Sequence, residues 1–115
     1  MAKYIIYFNQ QWVGDHPAEW YIPRGPLSRA VVSEMKDAGI LVFAGGLEEE
    51  IEKAIGISES GEIQERITTK GEFIGGLTII EVDSDDEAKY WGSKVGEACG
   101  WPQEVRKFKE FKRTQ

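Results

Sequence analysis

The chain has one cysteine, one histidine, no concentrated basic face and no long apolar run, and each shortage removes a class of protein. A lone Cys99 excludes an intrachain disulfide and any metal site built from several thiolates of one chain, which fits a reducing cytoplasmic setting. The formal charge is -6, and Lys and Arg are dispersed except near the C-terminus, so nothing neutralises a phosphate backbone and nucleic acid is not an expected partner. The apolar run Tyr4-Ile5-Ile6-Tyr7-Phe8 is too short for a signal-peptide core and lacks a small-residue cleavage site after it. No stretch approaches the roughly 18 apolar residues of a membrane helix, so a soluble protein without membrane contact is expected. Phosphate-cradling loops, nucleophile elbows and zinc spacings are also missing, and neither a cofactor nor a metal is expected.

What remains is enough for one domain over residues 1–115, a length that can bury about two-thirds of its unfolded surface. Tyr4–Phe8 reads as a strand. An aromatic connection from Asn9 to Arg24 follows, then a helix entered at Gly25-Pro26, where proline gives up only an N–H that has no partner in the first turn. Leu27, Val31, Met35 and Ala38 recur at helical spacing, and Gly39 predicts a left-handed cap with Ile40 closing over Met35. Ile40–Ala44 is apolar on both faces and reads as an inner strand ending at Gly45-Gly46.

Beyond it the chain is more polar. Ala54–Ser58 and Glu62–Ile67 flank Glu59-Ser60-Gly61 as a hairpin would, while Glu48–Lys53 could open as a helical turn. Phe73–Gly76 leads into the β-branched strand Leu77–Val82, its glycines marking a bend or a close backbone approach. Ser84-Asp85-Asp86-Glu87 forms a capping box with three acids at the positive end of the helix dipole. Ala88, Trp91, Val95 and Ala98 make that helix's buried stripe, Gly92 and Gly96 allow close packing, and Gly100 ends it. Glu104–Phe108 is the last strand, followed by a basic end suited to a sheet edge.

This order predicts an α+β fold on a β-α-β/β-α-β plan with an extra hairpin. Two helices cover one face of a four-stranded sheet, yet Ile5, Tyr7, Leu41 and Phe43 alternate with equally apolar neighbours. The second face therefore needs cover, and a second copy of the chain, a homodimer, supplies it most economically. A strongly bent sheet, or the hairpin folded over it, is the rival.

Three blocks point to a family in their order: Ala38–Leu47 (AGILVFAGGL), Lys70–Val82 (KGEFIGGLTIIEV) with Asp83–Ala88 after it, and the closing Glu104-Val105-Arg106. Together they resemble the YCII-related family, in particular its branch with the DGPF domain. The resemblance implies a ferredoxin-like domain that dimerises sheet to sheet as an α/β barrel, and it allows proton-transfer chemistry, since some relatives look like dehydrohalogenases or isomerases of ring-cleavage pathways. The chain departs from the pattern at Gln64-Glu65-Arg66-Ile67, where that branch has Asp-Gly-Pro-Phe. It also carries Ser28 where family enzymes of the broader type place a histidine on the first helix, so that histidine site does not transfer.

Candidate catalytic residues are His16 with Asp15, as a general acid or base, and Lys70 with Glu72, which could hold a carboxylate or phenolate. Trp12, Trp20 and Tyr21 could line a substrate pocket, and Arg24 could bind an anionic group at the helix start. Each has a plainer reading: a turn histidine in solvent, a solvated ion pair, aromatic packing at a loop. Two functions compete. One is a metal-independent enzyme acting by proton transfer, elimination or isomerisation on a planar or aromatic small molecule. The other is a non-catalytic dimeric module that binds a ligand or a protein.

Overall fold

The computed structural model describes residues 1–68 and 71–110, and within them the chain is a mixed α+β structure. Strand β1 (Ala2–Asn9) leads through a 3-10 turn (Gln10–Val13) and the short helix α1 (Ala18–Tyr21) into helix α2 (Arg24–Asp37). Strand β2 (Leu41–Gly46), a 3-10 turn (Ile51–Lys53) and the strand pair β3 (Ile55–Ile57) and β4 (Ile63–Glu65) follow. Strand β5 (Ile74–Val82), helix α3 (Asp85–Cys99) and strand β6 (Glu104–Lys107) complete the order. Four strands form one antiparallel sheet in the order β2-β5-β1-β6, and β3-β4 is a separate two-stranded sheet. The main sheet thus interleaves two β-α-β units, each skipping over a strand of the other.

Local chemistry explains most element ends. Ser84 accepts a hydrogen bond from the Glu87 backbone N–H at 3.2 Å, and Asp85, Asp86 and Glu87 sit in the first turn of α3, as the capping signal predicted. At the end of α2, Gly39 takes φ +74°, its N–H reaches the Lys36 carbonyl at 3.0 Å, and the Ile40 N–H reaches the Met35 carbonyl at 3.1 Å. That pair of bonds is a Schellman cap, and Ile40 packs onto the core beside it. The start of α2 differs from the sequence reading. The Leu27 N–H already bonds the Pro23 carbonyl at 3.1 Å, so the helix opens at Arg24 and Pro26 is its third residue, still among the four positions whose N–H needs no helical partner.

The core lies between the helices and one face of the sheet. Tyr4 and Ile6 of β1, Ile80 and Val82 of β5, Val31 and Met35 of α2, and Ala88 and Ala98 of α3 are buried there, with Trp91 and Val95 against them. Leu27 and Ala38 complete the helical spacing but stay exposed. Ile6, Met35, Ile80 and Val82 are fully enclosed. Glycine at Gly76 serves the close approach anticipated for it: a Cβ there would stand 2.8 Å from the Phe8 ring.

Two outcomes correct the sequence reading. The segment expected as an inner strand is an edge strand, since β2 pairs only with β5, and its register shifts between Leu41 and Phe43. Val42 and Phe43 consequently remain 48% and 58% exposed. Apolar residues on both faces of a strand say that both faces seek cover; they do not say that both edges are paired. The hairpin does form, and Ile51–Lys53 makes a single helical turn ahead of it, so the two readings of residues 48–67 describe adjacent pieces.

The opposite face of the sheet carries Ile5 and Tyr7 of β1, Leu77 and Ile79 of β5, and Phe43 of β2, by strand alternation and register. The described residues measure 53 × 41 × 18 Å, and the short dimension fits one sheet and one helix layer. The β3-β4 pair does not fold back over the open face: Ile55, Ile57 and Ile63 are 73%, 49% and 76% exposed.

Replacing Ile6 with Ala should lower the unfolding free energy by about 2–5 kcal/mol, read as a drop in the urea midpoint at unchanged slope. A second expectation concerns alkaline pH. The Tyr4 hydroxyl donates to the Asp85 carboxylate, and that bond, aided by burial, pushes its pKa from 10.0 up to about 12. A raised folded-state value means the contribution is complete below pH 10 and is lost as pH rises through about 12. Thermal stability should therefore fall over that window in the native protein and fall less steeply in Tyr4→Phe.

Candidate functional site

The residues singled out from the sequence separate into two places. The connection between β1 and α2 turns at Gly14, φ +78°, and brings His16 back over α1. The His16 Nε2–H donates to the Val13 carbonyl at 2.9 Å, and the imidazole stacks on the Trp20 indole at 3.7 Å between centroids and 8° between planes. Tyr21 meets Trp20 edge-on at 5.0 Å, and the Arg24 guanidinium lies 4.5 Å from the same indole. Arg24 is also tied to backbone, donating from Nε to the Trp20 carbonyl at 3.2 Å and from a terminal nitrogen to the Ala98 carbonyl at 3.5 Å. His16 and Asp15 are exposed.

This cluster is a fastening. Gly100, left-handed at φ +77°, ends α3 directly under Trp20, and a Cβ there would penetrate the indole. Trp101 follows, 6.3 Å from Tyr21 and 5.0 Å from Phe8, and its Nε1–H donates to the Gln10 carbonyl at 3.4 Å. The aromatic loop is thereby locked onto the C-terminal end of α3, with Trp20, Tyr21 and Arg24 spending their surfaces on each other. Arg24, read from the sequence as an anion hook, has two of its five N–H donors on carbonyls and its guanidinium on the Trp20 ring.

Trp12 and Glu72 belong to the second place, at the end of the open sheet face. The Gln10 N–H bonds the Phe73 carbonyl at 2.8 Å, and the Phe73 N–H bonds the Gln11 side chain at 3.1 Å, which binds the 3-10 turn to the approach of β5. The Trp12 Nε1–H then donates to the Glu72 carboxylate, and the Trp12 ring lies 6.3 Å from Tyr7. Lys70, the intended partner of Glu72, lies outside the described residues.

Three residues beside Trp12 were not anticipated. Tyr7 stands opposite Glu104 in the β1-β6 ladder, and its hydroxyl donates to the Glu104 carboxylate at 2.6 Å. That bond is the main cause, with burial second, of a raised Tyr7 pKa, while the nearby Arg106 guanidinium works in the opposite direction. At neutral pH Tyr7 is a protonated donor, flanked by a base and a fixed cation. The alternation of β1 placed Tyr7 on the face away from the helices, but only the register of β6 could show that Glu104 and Arg106 meet it. Chemically the group offers an indole wall, a phenol, two carboxylates and a guanidinium on an otherwise apolar surface.

Two clefts among the described residues lie elsewhere. One of about 610 Å³ runs between α3 and β6, lined by Lys89, Ser93, Glu97, Trp101 and Gln103, and one of about 400 Å³ separates α2 from α3. Among the described residues no three His, Cys, Asp or Glu side chains are grouped to hold a metal ion, and no helix is long and apolar enough to cross a membrane. No protein-family model matches the chain, and no curated protein matches it at a significant level.

Gly100→Ala should loosen the fastening, because it adds both a left-handed strain of about 1–3 kcal/mol and a clash with Trp20. The expected result is a lower melting temperature together with a red shift and altered intensity of tryptophan fluorescence.

Proposed function

We propose that the chain is a YCII-related domain on the ferredoxin-like plan, paired sheet to sheet with a second copy as a dimeric α/β barrel, and that it binds a small planar or aromatic molecule between the two sheets. The observation that carries this reading is the apolar face of Ile5, Tyr7, Phe43, Leu77 and Ile79 away from the helices, with Phe43 exposed and the others partly exposed, interrupted at one end by Trp12, Glu72, Glu104 and Arg106. An apolar surface with a few converging polar groups is how small-molecule sites are built once water is excluded. The β-α-β order and the strand order β2-β5-β1-β6 support the ferredoxin-like plan. A reducing compartment such as the cytoplasm suits the free, half-buried Cys99.

Binding without catalysis by His16 is the preferred form, because His16 is exposed, stacked on Trp20 and bonded to its own loop. One observation favours an enzyme: Tyr7 and Glu104 form a donor–acceptor pair beside Arg106, which is the equipment for moving a proton on a phenol or enol.

Sedimentation at micromolar concentration should give twice the chain mass, and Ile79→Asp should give a folded monomer. In a thermal-shift screen of aromatic and enolic metabolites, a stabilising ligand should lose at least about tenfold in affinity with Trp12→Ala or Arg106→Ala and little with His16→Asn. Turnover of that ligand abolished by Tyr7→Phe would select the enzyme. A monomeric native protein would overturn the pairing.

A further inference from the structure

The β3-β4 hairpin, like the open sheet face, carries apolar side chains that the chain's own packing leaves exposed. By register Ile55 stands opposite Glu65 and Ile57 opposite Ile63, so Ile55, Ile57 and Ile63 share one face, and all three are exposed. A two-stranded hairpin is marginal in water unless its apolar face is packed. β2 and β5 run antiparallel as a ribbon to Gly46 and Gly76, the Leu47 N–H adds a bond to the Gly75 carbonyl, and the hairpin, a separate two-stranded sheet, is carried on the connection beyond that end. It leaves the sheet at the same end that carries Trp12, Tyr7 and Glu104.

Charge says where the tip belongs. Between Glu48 and Glu65 there are seven glutamates against one lysine, Lys53, whereas the β6 edge carries Arg106, Lys107 and Lys109 within four positions. In the strand order β2-β5-β1-β6 the acidic ribbon and the basic edge lie on opposite sides of one sheet. A two-fold pairing of two sheets whose axis runs along the strands brings each ribbon to the other's basic edge, in two equivalent contacts.

We infer that the β3-β4 hairpin is an exchange arm: each copy lays Ile55, Ile57 and Ile63 on the open sheet face of the other, over Tyr7 and Trp12, with the arm glutamates against Arg106, which by register shares that face with Ile5 and Tyr7. The arm thereby roofs the polar group, and each site is incomplete without the second chain. This rests on the sheet-to-sheet pairing proposed above and adds the arm as an obligate part of it. The occupant is a second copy of this chain, because the arm's apolar face, its charge and its origin at the site end all have their complement on the chain itself.

The double variant Ile55→Asp/Ile63→Asp tests the arm without touching the core, since both side chains are about three-quarters exposed in the single chain. With far-UV circular dichroism unchanged, the dimer dissociation constant should rise at least about tenfold, and salt should weaken the native dimer. In native protein the amides of residues 55–65 should be protected from hydrogen exchange at dimer concentrations and lose that protection on dilution. A dimer unaffected by the double variant, with arm amides exchanging freely, would overturn the exchange arm and leave the sheet pairing standing, provided Ile79→Asp still dissociates it. Arm protection in a monomer, independent of concentration, would place the arm on its own sheet and overturn the inference. A monomer with an unprotected arm would overturn both readings.

Discussion

The central strands β1 and β5 are apolar on both faces, while the connections between strands supply helices to one face only. Everything else in the molecule arranges itself around that imbalance. On the covered face, Ile6, Ile80 and Val82 meet Met35 with no exposed remainder and Val31 nearly so, and Tyr4 can be buried because its hydroxyl reaches Asp85 at the helix start. On the other face the same strands present Ile5, Tyr7, Leu77 and Ile79 to whatever comes next. Removing such a surface from water is worth about 25 cal/mol per Å² of apolar area, so the face is a standing source of association energy.

The polar group at one end of that face acquires its meaning from the same imbalance. Tyr7 is hydrogen-bonded to Glu104, and the nearby Arg106 balances the carboxylate charge, which lets them be enclosed at lower cost than any one of them alone. In the proposed dimer their interactions would strengthen as water leaves, and their geometry would be held by a ladder of backbone bonds between β1 and β6. The aromatic loop does different work. His16, Trp20, Tyr21 and Arg24 pin the long connection to Gly100, which fixes the 3-10 turn and so the position of Trp12 at the edge of the polar group.

Much of the fold was legible from local chemistry. The Ser84 side-chain cap, the Schellman end at Gly39, the turn at Gly61 and the close approach at Gly76 each follow from one residue's steric or hydrogen-bonding limits, while the return bond from Glu87 that would complete a capping box does not form. Their readings survive because short-range constraints do not depend on what packs later. The start of α2 moved by only two residues, since proline is tolerated anywhere in a first turn. The candidate site fared differently. Proximity in sequence made His16, Asp15, Trp20 and Tyr21 look like a pocket, but neighbouring aromatics satisfy one another first.

The sequence by itself determined which of the longer segments are strands and helices, though not the short helix α1 or the 3-10 turn Gln10–Val13 within the aromatic connection, and that the central strands are apolar on both sides, because these depend on residue periodicity and on the φ preferences of single positions. Tertiary structure alone decided that β2 lies at an edge, that Glu104 and Arg106 meet Tyr7, and that Trp12 pairs with Glu72. Those facts depend on strand order and register, which join residues as far apart as Tyr4 and Lys107 through backbone bonds that carry no side-chain signature.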